Sequence, residues 1–270
     1  MLDVEYPEAA LIAEWNGPRM SLKNGFDMDF YLDWQGNGYS WLMRNYDGAT
    51  DSNPHNIGKA YFCKNSGTGI DKFLDDYLPA YKATHKDGLW CFITCNHDTI
   101  RPSAGLTVDE LRLAYATLFT LPGAPFVYYG DEIGMQGGRD PFNRAPYPWR
   151  GIDAELLEKY RCLGGLRNSK SVLNSGFFRT LYANGDVFVY ARYFDNKKDV
   201  FGKKCDFDIA VCAINRSFEV KTVTVDVSDI TVDTIKCILS SGRAEKAFVQ
   251  SGRDIHITVP PVGYVMGSID

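Results

Sequence analysis

Histidine is scarce in this chain, with four among 270 residues, and His55, His85 and His256 are scattered and suggest no role. The seven cysteines form no CxxC pair and no Cys/His grouping of zinc-ligand spacing, which argues against a structural zinc site. An odd number of unclustered thiols reads as reduced, and a reduced state favours an intracellular, cytoplasmic location. No apolar run approaches the ~20 residues of a membrane span. The opening stretch, MLDVEYPEAALIAEW, has no basic segment followed by an apolar one, so it is not a signal peptide. It reads as the tail of a helix followed by a strand, as though the chain begins in mid-fold. A formal net charge of −5 gives no reason to expect nucleic acid or an acidic membrane as partner. Internal repeats and low-complexity segments are absent too.

What is plentiful is aromatic: sixteen Tyr, sixteen Phe and five Trp make 14% of the residues. Such faces pack in cores and also stack on sugar rings, a composition that leans towards carbohydrate.

Up to about residue 130, apolar strand-like runs alternate with helical stretches. Strands are expected at 11–13, 28–32, 90–94 and 125–129. Helices are expected over 69–86, where apolar residues recur at three- and four-residue spacings, and in VDELRLAYATLFTL, capped by Thr107 and closed by Pro122-Gly123. Continuously apolar strands separated by helices imply parallel strands covered on both sides. Polar residues recur where those strands end: Glu14, Asp33, Asn96-His97-Asp98 and Asp131-Glu132. Asn96-His97-Asp98 alone fits a solvated turn or helix cap. Several polar strand ends in phase point instead to a shared site on one rim.

After residue 150 the texture changes. A helix over 154–168 leads to seven short alternating runs beginning at FFRTLYA and ending at GYVMGSI, the pattern of an antiparallel sandwich. The expected fold class is therefore α/β: part of a (β/α)8 barrel over residues 1–168, followed by an all-β antiparallel sandwich over 169–270.

Four motifs, AEWNGP (13–18), CNHDTIR (95–101), LPGAPFVYYGDEIGM (121–135) and GGRDPFNRAPYPW (137–149), resemble those of the α-amylase family of retaining glycoside hydrolases. The last is similar to the α-glucosidase, neopullulanase and cyclomaltodextrinase branches. The resemblance implies the C-terminal half of the barrel, strands five to eight, plus the family's C-terminal β domain. It implies that Glu14 is the general acid/base and that Asp98 is the second acid, which stabilises the cation-like transition state. His97 matches a sugar-hydroxyl ligand, and Asp140 with Arg144 a pair that grips a sugar further into the pocket. Trp15 and Asn16 fall on the leaving-group side, although the family usually has one residue between its Glu and Trp. Arg101 reads mainly as the ion-pair partner of a nearby carboxylate, Asp131 and Glu132 as structural, and Tyr128 and Tyr129 as packing.

The family's nucleophile is an aspartate ending strand four, after a "GxRxD" run and before the Glu14 strand. No such run precedes Glu14, and GGRD at 137–140 lies after strand eight. The expected protein is thus the C-terminal portion of a longer enzyme, inactive alone, acting on α-glucosidic bonds of starch-derived oligosaccharides. No cofactor and no metal site made by this chain alone are expected. Its expected partners are an α-glucan or malto-oligosaccharide, the missing N-terminal half of the barrel, and its own copies through exposed edge strands. The alternatives are a transglycosylase and a non-catalytic glucan-binding or assembly protein.

Overall fold

A computed structural model describes residues 2–15, 17–32, 38–43, 60–62, 66–138, 140–231, 233–243 and 246–269. Asn16 and Asp33 lie outside the described residues. The chain opens with α1 (Leu2–Glu5), β1 (Ile12–Ala13), α2 (Pro18–Ser21), β2 (Met28–Phe30) and α3 (Gly38–Leu42). It continues through α4 (Asp71–Thr84), β3 (Leu89–Ile93), α5 (Val108–Thr120), β4 (Ala124–Phe126), α6 (Ala154–Ser169) and α7 (Ser171–Ser175). The four strands form one parallel sheet in the order β1-β2-β3-β4. Sequential parallel strands place all their C-terminal ends on one rim.

Local signals explain the best-defined helix. Thr107 and Glu110 form a reciprocal capping box at the start of α5, with the Thr107 amide donating to Glu110 Oε2 at 2.7 Å. The helix stops at Leu121, which is extended ahead of Pro122. Gly123 then takes a left-handed φ of 110°, and a Cβ there would lie 2.2 Å from the Trp90 carbonyl oxygen. Only glycine fits both demands.

β1, β2 and β4 are shorter than expected, and although β3 is buried almost throughout, the margins of the sheet are exposed among the described residues. Leu11 and Ile12 are exposed at the β1 margin, where Trp15 and Met20 adjoin, and Val127 at the β4 margin. β1 and β4 are the outer strands, and among the described residues no strand pairs with their free edges. The run predicted to extend to Tyr129 stops at Phe126, and the Tyr129 carbonyl is instead held by a side chain, at 2.7 Å from Arg101 Nη1.

The second half consists of β5 (Phe177–Asn184), β6 (Val187–Tyr193), β7 (Ile209–Asn215), β8 (Lys221–Asp226), β9 (Lys236–Ser240), β10 (Phe248–Ser251), β11 (Asp254–Val259) and β12 (Gly263–Ser268). A five-stranded sheet, β5-β6-β7-β12-β9, faces a three-stranded one, β10-β11-β8, and every pairing is antiparallel. All seven anticipated runs form strands. β10 is additional: its FVQS sequence is mostly exposed and too short to signal a strand. The expected alternation also fails in β6, β7 and β12, which are buried almost throughout. Their sheet is a middle layer. Phe188, Tyr190, Cys212 and Met266 join the core under the helices, while Val189, Val211, Ala213 and Val265 pack against Val225, Ile255 and Ile257 of the outer sheet. Strands buried on both faces lose the two-residue period.

No disulfide joins the described cysteines, and no helix among the described residues is long and apolar enough to cross a membrane.

Two substitutions test these local arguments by thermal unfolding. Thr107→Ala is expected to destabilise the chain by about 1 kcal/mol, lowering Tm by roughly 2–4 °C. Gly123→Ala forces both a positive φ and a backbone clash, so its loss should be larger, about 3 kcal/mol or more.

Candidate functional site

The exit of β1 is shaped by Asp29, a wholly buried carboxylate on β2. It accepts from the Trp15 amide at 3.1 Å, the Gly17 amide at 3.0 Å and the Ser21 hydroxyl at 2.7 Å. Three donors on one buried carboxylate meet its hydrogen-bonding demand and fix the loop that carries Glu14. The Trp15 indole lies over Gly17 and is largely exposed.

The exit of β3 is a tight turn. Asn96 Oδ1 accepts from the Asp98 amide at 3.0 Å, and the Asn96 amide donates to Thr99 Oγ1 at 2.9 Å. This Asx turn projects His97 and Asp98 into solvent. Their side chains meet at 3.4 Å, His97 Nε2 to Asp98 Oδ2. The loop after β4 closes on them. Arg144 Nη2 lies 3.3 Å from Asp98 Oδ1, its Nε 3.0 Å from Asp140 Oδ1, and the same Nε donates to the His97 carbonyl at 3.0 Å.

The polar atoms of Glu14, His97 and Asp98 lie within 4.8 Å of one another, although Glu14 and Asp98 stand 84 positions apart in sequence. Glu14, His97, Asp98, Asp140 and Arg144 therefore form one cluster, and Trp15 adjoins it through the chain. Such a group can offer a proton donor, a fixed negative charge and hydrogen-bond partners for hydroxyls. Its spacing would also admit a cation, which was not anticipated from the sequence.

Beneath the cluster sits a buried ion pair, Arg101 Nη1 to Asp131 Oδ1 at 3.2 Å, with both side chains fully enclosed. The structural reading of Arg101 and Asp131 is thereby given its specific partners. Asp131 also accepts from the Thr94 hydroxyl and, at 3.1 Å, the Cys95 thiol. Burial pushes its carboxyl up to about 6, against the opposing pull of Thr94, Cys95 and Arg101. The aromatic rings of Tyr128 and Tyr129 pack on the Arg101 guanidinium, at 4.5 and 4.8 Å.

Two residues of this site were not singled out from sequence. Asp29 had one signal, a lone carboxylate inside the apolar run MDFYL. Asn143 had none beyond its place in the DPFNR segment, yet it is wholly buried and donates through Nδ2 to the carbonyls of His97 (2.7 Å) and Thr99 (2.9 Å).

Residues 50–171 match the family profile "Alpha amylase, catalytic domain". Over this stretch, a little under half of its length, the chain is similar to the α-amylase family. The matched stretch contains His97, Asp98, Asp140 and Arg144, whereas Glu14 precedes it. The amylopullulanase of Thermoanaerobacter thermohydrosulfuricus is 39% identical over 133 residues, 49% of this chain and 8% of that protein. The cyclomaltodextrinase of Thermoanaerobacter pseudethanolicus is 37% identical over 106 residues, 38% of this chain and 18% of its own length. Among solved structures, the debranching enzyme of Nostoc punctiforme superposes with a TM-score of 0.79 at 22% identity, covering 98% of this chain and 53% of that one. The chain thus spans less than a fifth of these curated relatives and about half of the solved neighbour, whose likeness shows a shared fold.

The Asp131 carboxyl gives a pH test with a definite sign. Its folded value lies above the ~3.9 of an unfolded aspartate, so its contribution is fully present below that value and is lost as pH rises through about 6. The Tm of the wild type relative to that of Asp131→Asn should accordingly be higher near pH 4.5 than at pH 7.5. A difference that stays constant across that range would contradict the assignment.

Proposed function

We propose that this chain supplies the general acid/base and the transition-state-stabilising carboxylate of a retaining α-glycosidase acting on α-glucosidic bonds of starch-derived oligosaccharides. One observation carries the reading: Glu14 and Asp98, from the ends of different strands of one parallel sheet, converge with His97 within 4.8 Å. Glu14 protonates the leaving oxygen and later activates water. Asp98 opposes the positive charge that develops on the sugar ring, stabilising the transition state more than the ground state. His97 binds a ring hydroxyl, and Asp140 with Arg144 grips a neighbouring sugar while Arg144 keeps Asp98 in place. Trp15 lines the leaving-group side, where Asn16, outside the described residues, is also expected.

In this reading the four parallel strands are strands five to eight of a (β/α)8 barrel within residues 1–168, and residues 169–270 are the C-terminal β domain. The nucleophile comes from a strand that would pair with the free edge of β1, next to Glu14. Retention requires such a carboxylate about 5 Å from the acid. Two features support this arrangement: the open edge of β1, and Glu14 standing at its exposed end. A general acid works near neutrality only when burial or a neighbouring carboxylate raises its pKa, and an added strand would bring both.

The experiment is maltotriose hydrolysis by the 270 residues alone and by the same residues joined to the N-terminal barrel strands of the family. Activity is expected only in the extended chain, lowered by about 10³-fold or more in Glu14→Gln. Turnover by the 270 residues alone would mean that the nucleophile is internal and would overturn this account. Maltodextrin binding without hydrolysis in either form would favour a non-catalytic glucan-binding protein.

A further inference from the structure

Arg101 is fully buried, yet it belongs to the segment that displays the exposed His97 and Asp98. Its donors go to three different places. Nη1 donates to the Tyr129 carbonyl at 2.7 Å and lies 3.2 Å from Asp131 Oδ1, while Nε donates to the Asn143 carbonyl at 3.1 Å. Its own amide donates to the Gly137 carbonyl at 3.0 Å. One guanidinium therefore fastens the chain beyond β4, the 131–133 turn and the 137–144 loop to the segment after β3.

Asn143 is the next link. Arg101 holds its main chain, and its side chain reaches back to the carbonyls of His97 and Thr99. The packing is close enough to transmit position. A Cβ on Gly137 would lie 3.0 Å from Arg101 Cδ and 3.0 Å from Asn143 Cα, so the backbone at 137 packs between them with no room for a side chain. The planar fork of arginine serves several acceptors at fixed angles, whereas the single ammonium of lysine would preserve the charge opposite Asp131 and lose the rest.

We infer that Arg101, anchored by Asp131, is a positioning residue for the His97–Asp98 turn and acts through Asn143. The inference rests on the role proposed above for Asp98. It assigns the buried ion pair a task beyond cohesion: holding the second carboxylate at the height and angle at which the acid and the sugar meet. A misplacement of about 1 Å at such a group costs on the order of 10²-fold in rate.

Arginine's two tasks can be separated. Arg101→Met removes both charge and fork, Arg101→Lys removes only the fork, and Asn143→Ala cuts the last link with the ion pair intact. Amide hydrogen exchange and Tm are measured on the 270-residue chain, and maltotriose turnover on the extended chain. Arg101→Lys is expected to recover most of the Tm lost in Arg101→Met, while the amides of Asn96, Asp98 and Thr99 exchange about tenfold faster than in the wild type and those of β6 and β7 do not change. Asn143→Ala should speed the same three amides, and in both variants kcat should fall more than KM rises. A merely structural Arg101 would be rescued by lysine in every readout, and that result would overturn the inference, as would unchanged protection in Asn143→Ala. If Asp98→Asn abolishes turnover while Arg101→Lys keeps full rate and full protection, the positioning inference falls and the proposed function stands. If Asp98→Asn turns over normally, the proposed role of Asp98 fails, and the purpose of the positioning fails with it.

Discussion

Two buried guanidinium groups hold the place where α5 ends and β4 begins, and the rest of the architecture is hung from that point. Arg167 donates to the carbonyls of Phe119 (2.7 Å), Leu121 (3.3 Å) and Gly123. Arg192 donates to those of Thr120 (3.0 Å), Leu173 (2.9 Å) and Gly176 (3.0 Å). The last carbonyls of a helix carry no internal partners and sit at the negative end of its dipole, so a cation is favourable there. Burial opposes the charge, holding Arg192 below the ordinary arginine range and Arg167 at about 9. Carbonyl dipoles offset that cost, and in doing so they tie α5, β4 and α7 to the first antiparallel sheet.

This attachment decides what the rim can be. β4 is only three residues long and has one neighbour in its sheet. A strand that short contributes little by itself, and its position comes from α5 behind it and from the loops beyond it. The side chains of the candidate site are consequently carried by loops, but the loops end in buried groups: Asp29 beneath the Glu14 loop, and Asp131 and Asn143 beneath the His97–Asp98 turn. Exposed chemistry rests on enclosed polar anchors, because a carboxylate or amide in the interior tolerates only geometries that satisfy its hydrogen bonds.

Much of this was legible in the sequence, and what was not has a physical explanation. The order of strands and helices could be read because apolar runs and the Thr107 cap are local signals. The convergence of Glu14, His97 and Asp98 could be anticipated because polar residues recur at strand ends and because four motifs resemble a family. The partner of Arg101 could be foreseen only as some carboxylate, since Asp131 lies thirty positions on and is brought to it by β3 and β4 pairing. Asn143 gave no sign of being an anchor, and Asp29 only its place as a lone carboxylate in an apolar run, because burial is a tertiary property that no spacing encodes. The alternation expected of β6, β7 and β12 failed for a related reason: a strand cannot announce from its own residues how many layers will cover it. β10 escaped notice because its edge position leaves it mostly exposed, so it carries no apolar run.

The middle sheet has a mechanical consequence. Tyr190 hydrogen-bonds to Thr120 on one of its faces, while Val189 and Val211 interlock with the outer sheet on the other. On the same side of the molecule Arg216 joins Asp186 at the β5–β6 hairpin to Tyr61 and Ser66 on the segment before α4. Bonds at separate points along a shared face resist shear, and a shared core resists separation. The antiparallel sheets therefore brace the parallel one as a keel braces a hull, so sliding the two past each other would break several buried bonds at once.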